Sequence, residues 1–415
     1  MVKAHIISIG DELLIGQVVN TNASWMGAKL SEIGVTITKV VSISDSEEAI
    51  SNTILEGMKE ADILLLTGGL GPTKDDITKK TINKLFDDKL ELHQPTLDHV
   101  AQIFKKFDRP LLEVNRLQAM VPSKCEVLHN ELGTAPGMLF QRDGKVIVSM
   151  PGVPYEMKFL MENGVIPFII KSFLLPVIVH RTILTAGEGE SFLAEKIEDI
   201  EDGLPSNIKL AYLPRPGSVR LRFSGTGDNK KGVETQMDEQ IQKVYERIPN
   251  SIYGENEDTL MSSIFKTLVK KGQTLAVAES CTGGFLSHLI TMEAGSSQVF
   301  PGGVVAYSYD IKREVLGVKQ ETLNKVGAVS EDCVTEMLIG VRDKFNSTYA
   351  LACSGIAGPG GGTPDKPVGT VWVGLIGPNI IKVKCFSFSK NRYLNIEKTA
   401  LTALEMLRRE LLENN

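Results

Sequence analysis

Cysteine is scarce in this chain, and its spacing excludes several classes of protein. The 415 residues contain five cysteines, and no two of them form a CxxC pair; they stand at positions 125, 281, 333, 353 and 385. An odd and scattered set argues against a disulfide scaffold and against a structural zinc site. Because such a set is typical of a reducing compartment, we expect a cytoplasmic protein.

Long apolar runs and blocks of basic residues are also missing from the sequence. The longest apolar candidate, VIPFIIKSFLLPVIV, is interrupted by Pro and Lys, and the N-terminal segment MVKAHIISIGDELLIG lacks the pattern of a signal peptide. We therefore expect no membrane segment and no membrane partner. The net charge of −6, with no Lys/Arg block, argues against nucleic-acid binding. Small anionic ligands stay compatible with this charge, because a local site can be positive on an acidic protein.

What the sequence does contain is an alternation of apolar strands and helices, and its length suggests two or three domains. Residues 1–170 alternate strands such as AHIISIG with capped helices, which predicts an α/β domain with a mostly parallel sheet covered on both faces. Residues 176–252 predict a small α+β connector domain built around the hairpin IKLAYLPRPGSVRLRFSG. Residues 255–415 return to α/β alternation and end in a helix whose leucines form a core-facing stripe.

The segment AESCTGG places a potential nucleophile where a predicted strand meets a helix expected at about residues 281–291. Ligands of α/β sheets bind beyond the carboxyl ends of the strands, where helix N-termini present free N–H groups. Ser280 is therefore either a helix N-cap or a nucleophile. Gly283 and Gly284 would let a substrate or a neighbouring strand approach closely. The Gly- and Pro-rich loop CSGIAGPGGGTPDKPVG follows another strand, so we expect a pocket at this sheet edge.

A nucleophilic serine needs a general base within reach. His288 lies eight residues further along, about 12 Å along the helix axis, so we expect it to be a surface or core histidine. Lys312 is the better candidate, because a desolvated lysine can lose its charge and accept a proton. Cys281 is a rival nucleophile, although a cysteine one step into a helix usually packs.

A second set of candidate residues follows strands of the first domain. The glycines of TGGLGPTKDDITKK allow an exposed turn suited to anions, but the motif is neither a P-loop nor a GxGxxG fingerprint. We expect the next helix to begin near Asp75 or Asp76, and two interpretations of this pair stay open. The acids either bind a metal or serve the helix dipole. Asp11 and Glu12 also follow a strand, and their position slightly favours the metal-binding interpretation.

Six motifs occur in order in the last domain: AESCTGG, GSS, GGVVAYSYDIKREVLGV, GAVSE, CSGIAGPGGGTPDKPVGTVWVGL and a late NR. Together they resemble the C-terminal domain of the competence/damage-inducible CinA family, which is similar to nicotinamide mononucleotide (NMN) amidohydrolases. The resemblance covers residues 255–412. It implies hydrolysis of the carboxamide of NMN to nicotinate mononucleotide and ammonia, without a cofactor.

The resemblance also implies roles for individual residues. Ser280 matches the family's nucleophile, Lys312 and Tyr307 match its lysine and tyrosine, and Tyr309 stands where the family often has Asn. In the implied chemistry Lys312 takes the proton of Ser280, Tyr307 relays a proton or holds Lys312 neutral, and backbone N–H groups near residues 282–284 stabilise the oxyanion. The implied substrate-binding residues are Thr282, Gly283, Gly284, Ser297, Ser354 and Arg392, with Arg313 as a rival of Arg392 for the phosphate.

Four motifs of the first domain, GDELLIGQVVNTNASW, TGGLGPTKDDITKK, NELGTAPGM and MPGVPYEM, resemble the N-terminal domain of the same family. Its fold is similar to molybdopterin-binding proteins, and the resemblance implies divalent-metal-assisted hydrolysis of ADP-ribose to AMP and ribose 5-phosphate. A homodimer is implied as well. Two alternatives stay open: a non-enzymatic nucleotide sensor linked to competence, and a molybdopterin-binding protein. The residues expected at this site are Asn20, Asn22, Gly69 and Gly71 for substrate, and Asp75, Asp76 and Glu156 for the metal.

Overall fold

The structure is a computed structural model that describes residues 1–73 and 76–413. The chain divides into two compact units, Met1–Val179 with Thr226–Val233 and His180–Gly225 with Glu234–Asn415. Across the described parts of the chain, no helix combines the length and the apolar character that crossing a membrane requires.

Within residues 1–73 and 76–172, the described part of the first α/β domain, the structure has eight strands and eight helices, with a 3₁₀ turn at Leu117–Ala119 and a π-helical turn at Met161–Val165. In chain order they are β1 (Lys3–Ile9), α1 (Asp11–Leu14), α2 (Thr21–Glu32), β2 (Thr36–Ile43), α3 (Glu47–Glu60), β3 (Ile63–Thr67), α4 (Thr78–Leu85), β4 (Leu90–Leu92), α5 (Gln94–Lys106), α6 (Glu113–Arg116), β5 (Met120–Pro122), β6 (Glu126–Leu128), β7 (Gly137–Arg142), β8 (Lys145–Met150), α7 (Pro154–Leu160) and α8 (Ile166–Ser172).

Six of these strands form one sheet in the order β2-β1-β3-β8-β7-β6. The strands β2, β1, β3 and β8 are parallel neighbours, whereas β7 and β6 are antiparallel additions at one side. Successive side chains of a strand point to opposite faces. Accordingly, Ile63 and Leu65 of β3 enter one buried cluster, and Leu64 and Leu66 enter the other. Both faces of the sheet are thus covered, as the sequence predicts.

A four-stranded sheet with two helices follows. Its elements are β9 (Val177–Ala186), α9 (Glu190–Asp202), β10 (Ile208–Arg215), β11 (Ser218–Gly227), α10 (Lys230–Arg247) and β12 (Ile252–Glu255). The strands lie in the order β10-β11-β9-β12. The strands β10 and β11 pair antiparallel from Ile208 to Gly225, which is the hairpin that the sequence predicts.

The remaining segment is a second α/β domain with a 3₁₀ turn at Ser296–Gln298. Its elements are α11 (Leu260–Lys271), β13 (Leu275–Glu279), α12 (Phe285–Thr291), β14 (Gly302–Val305), α13 (Tyr309–Leu316), α14 (Gln320–Lys325), α15 (Glu331–Phe345), β15 (Tyr349–Gly355), β16 (Thr370–Ile376), β17 (Ile381–Ser387) and α16 (Arg392–Glu413). The sheet order is β14-β13-β15-β16-β17, with β13 parallel to both β14 and β15 and the last two strands antiparallel.

The strand β13, which lies between β14 and β15, divides its side chains between two cores. Leu275 and Val277 pack in the cluster that contains Leu404 and Leu407 of α16, while Ala276 and Ala278 pack in the cluster that contains α15. The predicted leucine stripe of α16 is therefore core packing. The predicted α/β class is confirmed, and the carboxyl end of β13 lies between those of its two parallel neighbours, β14 and β15.

Two helices begin later than the sequence suggests. The helix after β13 begins at Phe285 instead of residue 281, because Gly283 and Gly284 adopt left-handed φ angles of 61° and 102° that interrupt helical geometry. The helix after the glycine loop begins at Thr78, two residues beyond Asp76. Neither α11 nor the short helix α14 was predicted.

Candidate functional site

Ser280 stands at the carboxyl end of β13, in a tight turn that separates this strand from α12. The N-cap position of α12 is occupied by Gly284, which has no side chain of its own to cap the helix. The hydroxyl of Ser280 is consequently not an N-cap, which removes the structural alternative for this residue. Its main-chain N–H donates to the carbonyl oxygen of Cys353 at 3.1 Å, so the turn is attached to the neighbouring strand β15.

Glu279 holds this turn in place, although the sequence analysis assigned it no role. Its side chain is fully buried, and its carboxylate accepts hydrogen bonds from the N–H groups of Gly284 and Leu286 at 3.0 Å and of Ser287 at 2.8 Å. These are the N–H groups that a helix start leaves without partners. The acceptor lies five to eight residues upstream, a spacing that no sequence pattern of helix capping contains.

Lys312 approaches Ser280 from α13. This helix is capped by Ser308, whose hydroxyl accepts from the N–H of Ile311, and Lys312 is its fourth residue. The side chain is only 1% exposed, and Nζ donates to the carbonyl oxygen of Ala306 at 2.6 Å and to Oγ of Ser280 at 2.9 Å. Burial lowers the pKa of Lys312 from its ordinary value of 10.5. A lysine with these contacts is suited to accept the proton of the serine.

Cys281, the rival nucleophile, is buried beside this pair. Its thiol is hydrogen bonded to Cys353, and this bond together with burial raises the pKa of Cys281 well above 9.0. Because the thiolate is the nucleophilic form of cysteine, a thiol held protonated is a poor nucleophile. The environment therefore favours Ser280 over Cys281.

A pocket of about 220 Å³ opens over the serine and the lysine. Its lining includes five residues that were expected to act in catalysis or substrate binding, and these are Ser280, Tyr307, Lys312, Ser354 and Arg392. Tyr309 lines it too. Arg392 donates to the carbonyl oxygen of Gly358 at 2.7 Å and to the hydroxyl of Tyr307 at 3.1 Å. A guanidinium therefore faces the pocket at a fixed position.

The structure gives definite contacts for two residues that were expected near this pocket. The hydroxyl of Tyr307 accepts a hydrogen bond from Arg392, so Tyr307 is placed to position the arginine, while Nζ of Lys312 donates to Ser280 and Ala306. The rival arginine, Arg313, forms ion pairs with Asp310 and Glu314 and does not line the pocket. Arg392 is thus the arginine that the fold brings to the serine.

The residues predicted next to the nucleophile mostly lie behind the pocket. Thr282 packs inward, with its hydroxyl 3.1 Å from Sγ of Cys353. The N–H of Gly283 donates to the carbonyl oxygen of Ser280, and that of Gly284 is bound to Glu279. Within residues 1–73 and 76–413 the N–H groups of Cys281 and Thr282 donate to no main-chain carbonyl, so these two are the candidate donors for an oxyanion.

Two further side chains lie away from the pocket lining. Ser297 is exposed on its 3₁₀ turn, and His288 is exposed on α12, where its ring contacts Phe285. Asn395 is a residue that the sequence analysis missed. It is fully buried, and its amide donates to the carbonyl oxygens of Ala357 and Ser389, which attaches the Gly-rich loop to α16.

A second pocket, of about 420 Å³, lies beyond the carboxyl ends of β1, β3 and β8 in the first unit. The loop of residues 68–71 forms part of its wall, with left-handed φ angles of 114° at Gly68 and 68° at Gly69. A Cβ atom at Gly69 would lie 2.1 Å from Oγ1 of Thr78, so the close approach of loop and helix requires glycine. The pocket is lined by four acidic residues, which are Glu12, Asp45, Asp76 and Glu156.

The structure places some of the predicted residues at this pocket and others behind it. Four of them line it: Gly69, Gly71, Asp76 and Glu156. Asn20 caps α2 by accepting from the N–H of Ala23, and Asn22 donates to the carbonyl oxygen of Gly152 at 2.7 Å. Neither asparagine belongs to the lining, and Asn22 supports the wall through Gly152. Asp75 lies outside the described residues.

The acidic residues of this pocket are partly committed to local contacts. Asp76 accepts from the N–H and the hydroxyl of Thr73, while Glu156 accepts from the amide of Asn130 at 2.7 Å. Burial raises the pKa of Glu156. Over the described ranges, no group of three or more His, Cys, Asp or Glu side chains is arranged to hold a metal ion. Ions such as Mg²⁺ bind through one or two carboxylates together with substrate phosphates, and this lining fits that mode.

The two pockets define an α/β protein of several domains, with a serine–lysine pair in the last one. Three family models match the chain: "Probable molybdopterin binding domain" at residues 5–171, "Damage-inducible protein CinA KH domain" at 180–254 and "CinA C-terminal domain" at 257–411. A CinA-like protein of Flavobacterium psychrophilum is 45% identical over 414 residues, which is 99% of each chain. One of Cytophaga hutchinsonii is 43% identical over 412 residues, again 99% of each. The chain belongs to the CinA family of competence/damage-inducible proteins.

Solved structures resemble part of the chain. CinA of Thermoplasma acidophilum is 32% identical, with 40% of this chain and 98% of that chain covered and a TM-score of 0.37. A competence/damage-inducible protein of Agrobacterium tumefaciens is 39% identical, with 36% and 91% covered and a TM-score of 0.35.

Proposed function

We propose that the C-terminal domain is an amidase that converts NMN to nicotinate mononucleotide and ammonia. The observation that carries this proposal is the 2.9 Å contact between Oγ of Ser280 and Nζ of a fully buried Lys312. Hydrolysis of an unactivated amide needs a deprotonated nucleophile at neutral pH, and a lysine with a lowered pKa supplies the base. The resemblance of the surrounding motifs to NMN amidohydrolases selects the substrate.

The proposed reaction proceeds in two halves. Oγ of Ser280 attacks the carboxamide carbon of NMN while neutral Lys312 takes the hydroxyl proton, and the negative charge on the carbonyl oxygen is stabilised by the N–H groups of Cys281 and Thr282. Lys312 then returns the proton to the departing nitrogen, which leaves as ammonia. Water, deprotonated by the same amine, cleaves the acyl–serine bond and releases the carboxylate. All steps of this proposed reaction use protein groups and water, without a cofactor.

Arg392 supports the choice of a nucleotide. It is the arginine in the lining of the pocket, and its position is held by Gly358 and Tyr307. A guanidinium offers a paired set of donors that matches a phosphate group. In this proposal the amide of the substrate reaches Ser280, and its phosphate extends to Arg392.

The test is ammonia release from NMN by the purified full-length protein, compared with Ser280→Ala and Lys312→Ala. Robust release by the parent protein and its loss in both variants is the expected result. Ser263→Ala, a serine on the neighbouring helix α11, is the matched control and should keep full activity. Full activity of Ser280→Ala would exclude this serine as the nucleophile, and an inactive but folded parent protein would favour a nucleotide-sensing role.

We propose a second activity for the N-terminal domain, the hydrolysis of ADP-ribose to AMP and ribose 5-phosphate. The supporting observation is a glycine loop at the strand ends facing a pocket lined by carboxylates. Asp76 and Glu156 would hold a divalent metal that, when bound, polarises the phosphoryl oxygens. Main-chain groups at the glycines of this loop can approach the diphosphate closely, because these three positions carry no side chain.

This second activity is tested by measuring AMP release from ADP-ribose with Mg²⁺, Mn²⁺ or Co²⁺ added, and after treatment with a chelator. Metal-dependent release that Glu156→Gln abolishes is the expected result. Glu162→Gln, which changes an exposed acid in the nearby π-helical turn, is the control. No gain with any metal would count against the activity, and tight binding of molybdopterin without cleavage would favour a pterin-binding protein.

A further inference from the structure

Gln118 is a buried polar residue in the N-terminal pocket to which neither the sequence nor the family resemblance gives a role. Its side chain is 4% exposed and belongs to the lining of the pocket. Among the described residues, no group donates a hydrogen bond to its Oε1 atom, which is itself buried. Buried acceptors are rarely left without a partner, because the lost hydration is costly. The missing partner is therefore expected from a molecule that enters the pocket.

The main chain at Gln118 is held firmly on both sides. Nζ of Lys79 donates to the carbonyl oxygens of Leu117 at 2.9 Å and of Gln118 at 3.3 Å. The N–H of His93 donates to the carbonyl oxygen of Ala119 at 2.9 Å. Three consecutive carbonyl groups of the 3₁₀ turn are thus bound to other elements of the same unit. The side chain is presented to the pocket from a fixed backbone, as a recognition group must be.

The chemistry of the carboxamide differs from that of its neighbours in the lining. The acidic side chains there can only accept hydrogen bonds when ionised, whereas Gln118 offers an acceptor and a donor side by side in one plane. Adenine presents the complementary pair, an amino group beside a ring nitrogen, and glutamine is one of the side chains that bind it in this bidentate way. Ribose and phosphate carry no such planar donor–acceptor edge.

We propose that Gln118 recognises the adenine base of the nucleotide that occupies this pocket. Its Oε1 accepts from the 6-amino group, and its Nε2 donates to the adjacent ring nitrogen. This inference rests on the proposed ADP-ribose hydrolysis and adds the group that selects adenine. It makes Gln118 a specificity-determining residue, separate from the carboxylates that would hold the metal.

The experiment is calorimetric binding of three ligands to the full-length protein: AMP, purine riboside 5′-monophosphate, which lacks only the 6-amino group, and ribose 5-phosphate. The parent protein should bind AMP about tenfold or more tighter than purine riboside 5′-monophosphate, as one bidentate base contact provides. Gln118→Leu should remove this difference and leave ribose 5-phosphate binding unchanged. Gln102→Leu, on the exposed side of α5, should behave like the parent protein.

Thermal unfolding shows whether each variant is folded. If Gln118→Leu is unstable, Gln118→Met, which keeps the length of the side chain, replaces it. An unchanged preference for AMP in the folded variant would overturn the inference. So would an equal loss for all three ligands, because the contact would then be with ribose or phosphate. If the parent protein binds neither AMP nor ADP-ribose, the proposed hydrolase fails together with this inference; AMP binding without discrimination defeats the inference alone.

Discussion

Replacing Lys312 by methionine is the change that most directly separates a catalytic lysine from a structural one. Methionine is unbranched and apolar, so it fills the same buried channel without an amine. The carbonyl oxygen of Ala306 loses its 2.6 Å donor, which costs about 1–3 kcal/mol if that oxygen stays unsatisfied. Part of this cost is offset, because burial already disfavours the charged amine, as its lowered pKa indicates. We expect the free energy of unfolding to change by about 0–2 kcal/mol, so the variant should fold.

The effect on catalysis should be much larger. A positioned general base contributes about 10²–10⁴-fold to the rate, which corresponds to about 3–5.5 kcal/mol of activation free energy. The kcat for ammonia release from NMN should therefore be about 10²–10⁴-fold lower in Lys312→Met than in the parent protein. Lys312→Arg should not restore it, because a guanidinium stays protonated and is too bulky for the channel. Lys325→Met, which removes an exposed lysine from α14, is the matched control.

The pH dependence gives an independent check. Only the neutral amine of Lys312 can accept a proton, so kcat/KM should rise with pH and level off above the pKa of this lysine. Since burial lowers that pKa, the apparent value of this limb should lie below 10.5. The residual activity of Lys312→Met should lack this rise of kcat/KM with pH. A variant that keeps activity within about threefold and the same pH limb would refute the assignment of Lys312 as the base.

Two further substitutions test how the fold supports the sites. Glu279→Gln should lower the free energy of unfolding by about 2–3 kcal/mol and reduce ammonia release, because the N–H groups of the turn after Ser280 lose a carboxylate acceptor. Glu321→Gln, which changes an exposed acid, is the control. An unchanged melting temperature and activity of Glu279→Gln would contradict the role of Glu279 in holding this turn. Gly68→Ala should destabilise the protein by about 1–3 kcal/mol, because its Cβ would lie 2.2 Å from the carbonyl oxygen of Ile9 at a φ of 114°. Gly144→Ala, with a positive φ but open space around it, should cost less, and equal melting temperatures for the two variants would refute the steric argument.

Local sequence signals were sufficient for much of the architecture. Alternating apolar residues and caps such as Ser46 and Asn20 predicted the strands and helices of the α/β domains, because these signals act within a few residues. The placement of Ser280 and the loop after β15 at one sheet edge was also predictable, since the carboxyl ends of parallel strands meet there. The motifs then indicated the family.

The tertiary structure decided what depends on contacts between distant segments. The sequence spacing of 32 residues between Ser280 and Lys312 says nothing of a 2.9 Å contact, which arises because α13 returns its fourth residue under the end of β13. The pairing of Tyr307 with Arg392, 85 residues apart, and the burial that lowers the pKa of Lys312 have the same origin. The unpartnered oxygen of Gln118 is likewise visible only when every neighbour is in place. Short-range patterns specify elements, whereas the desolvation and hydrogen bonding that give a side chain its chemistry depend on the packed fold.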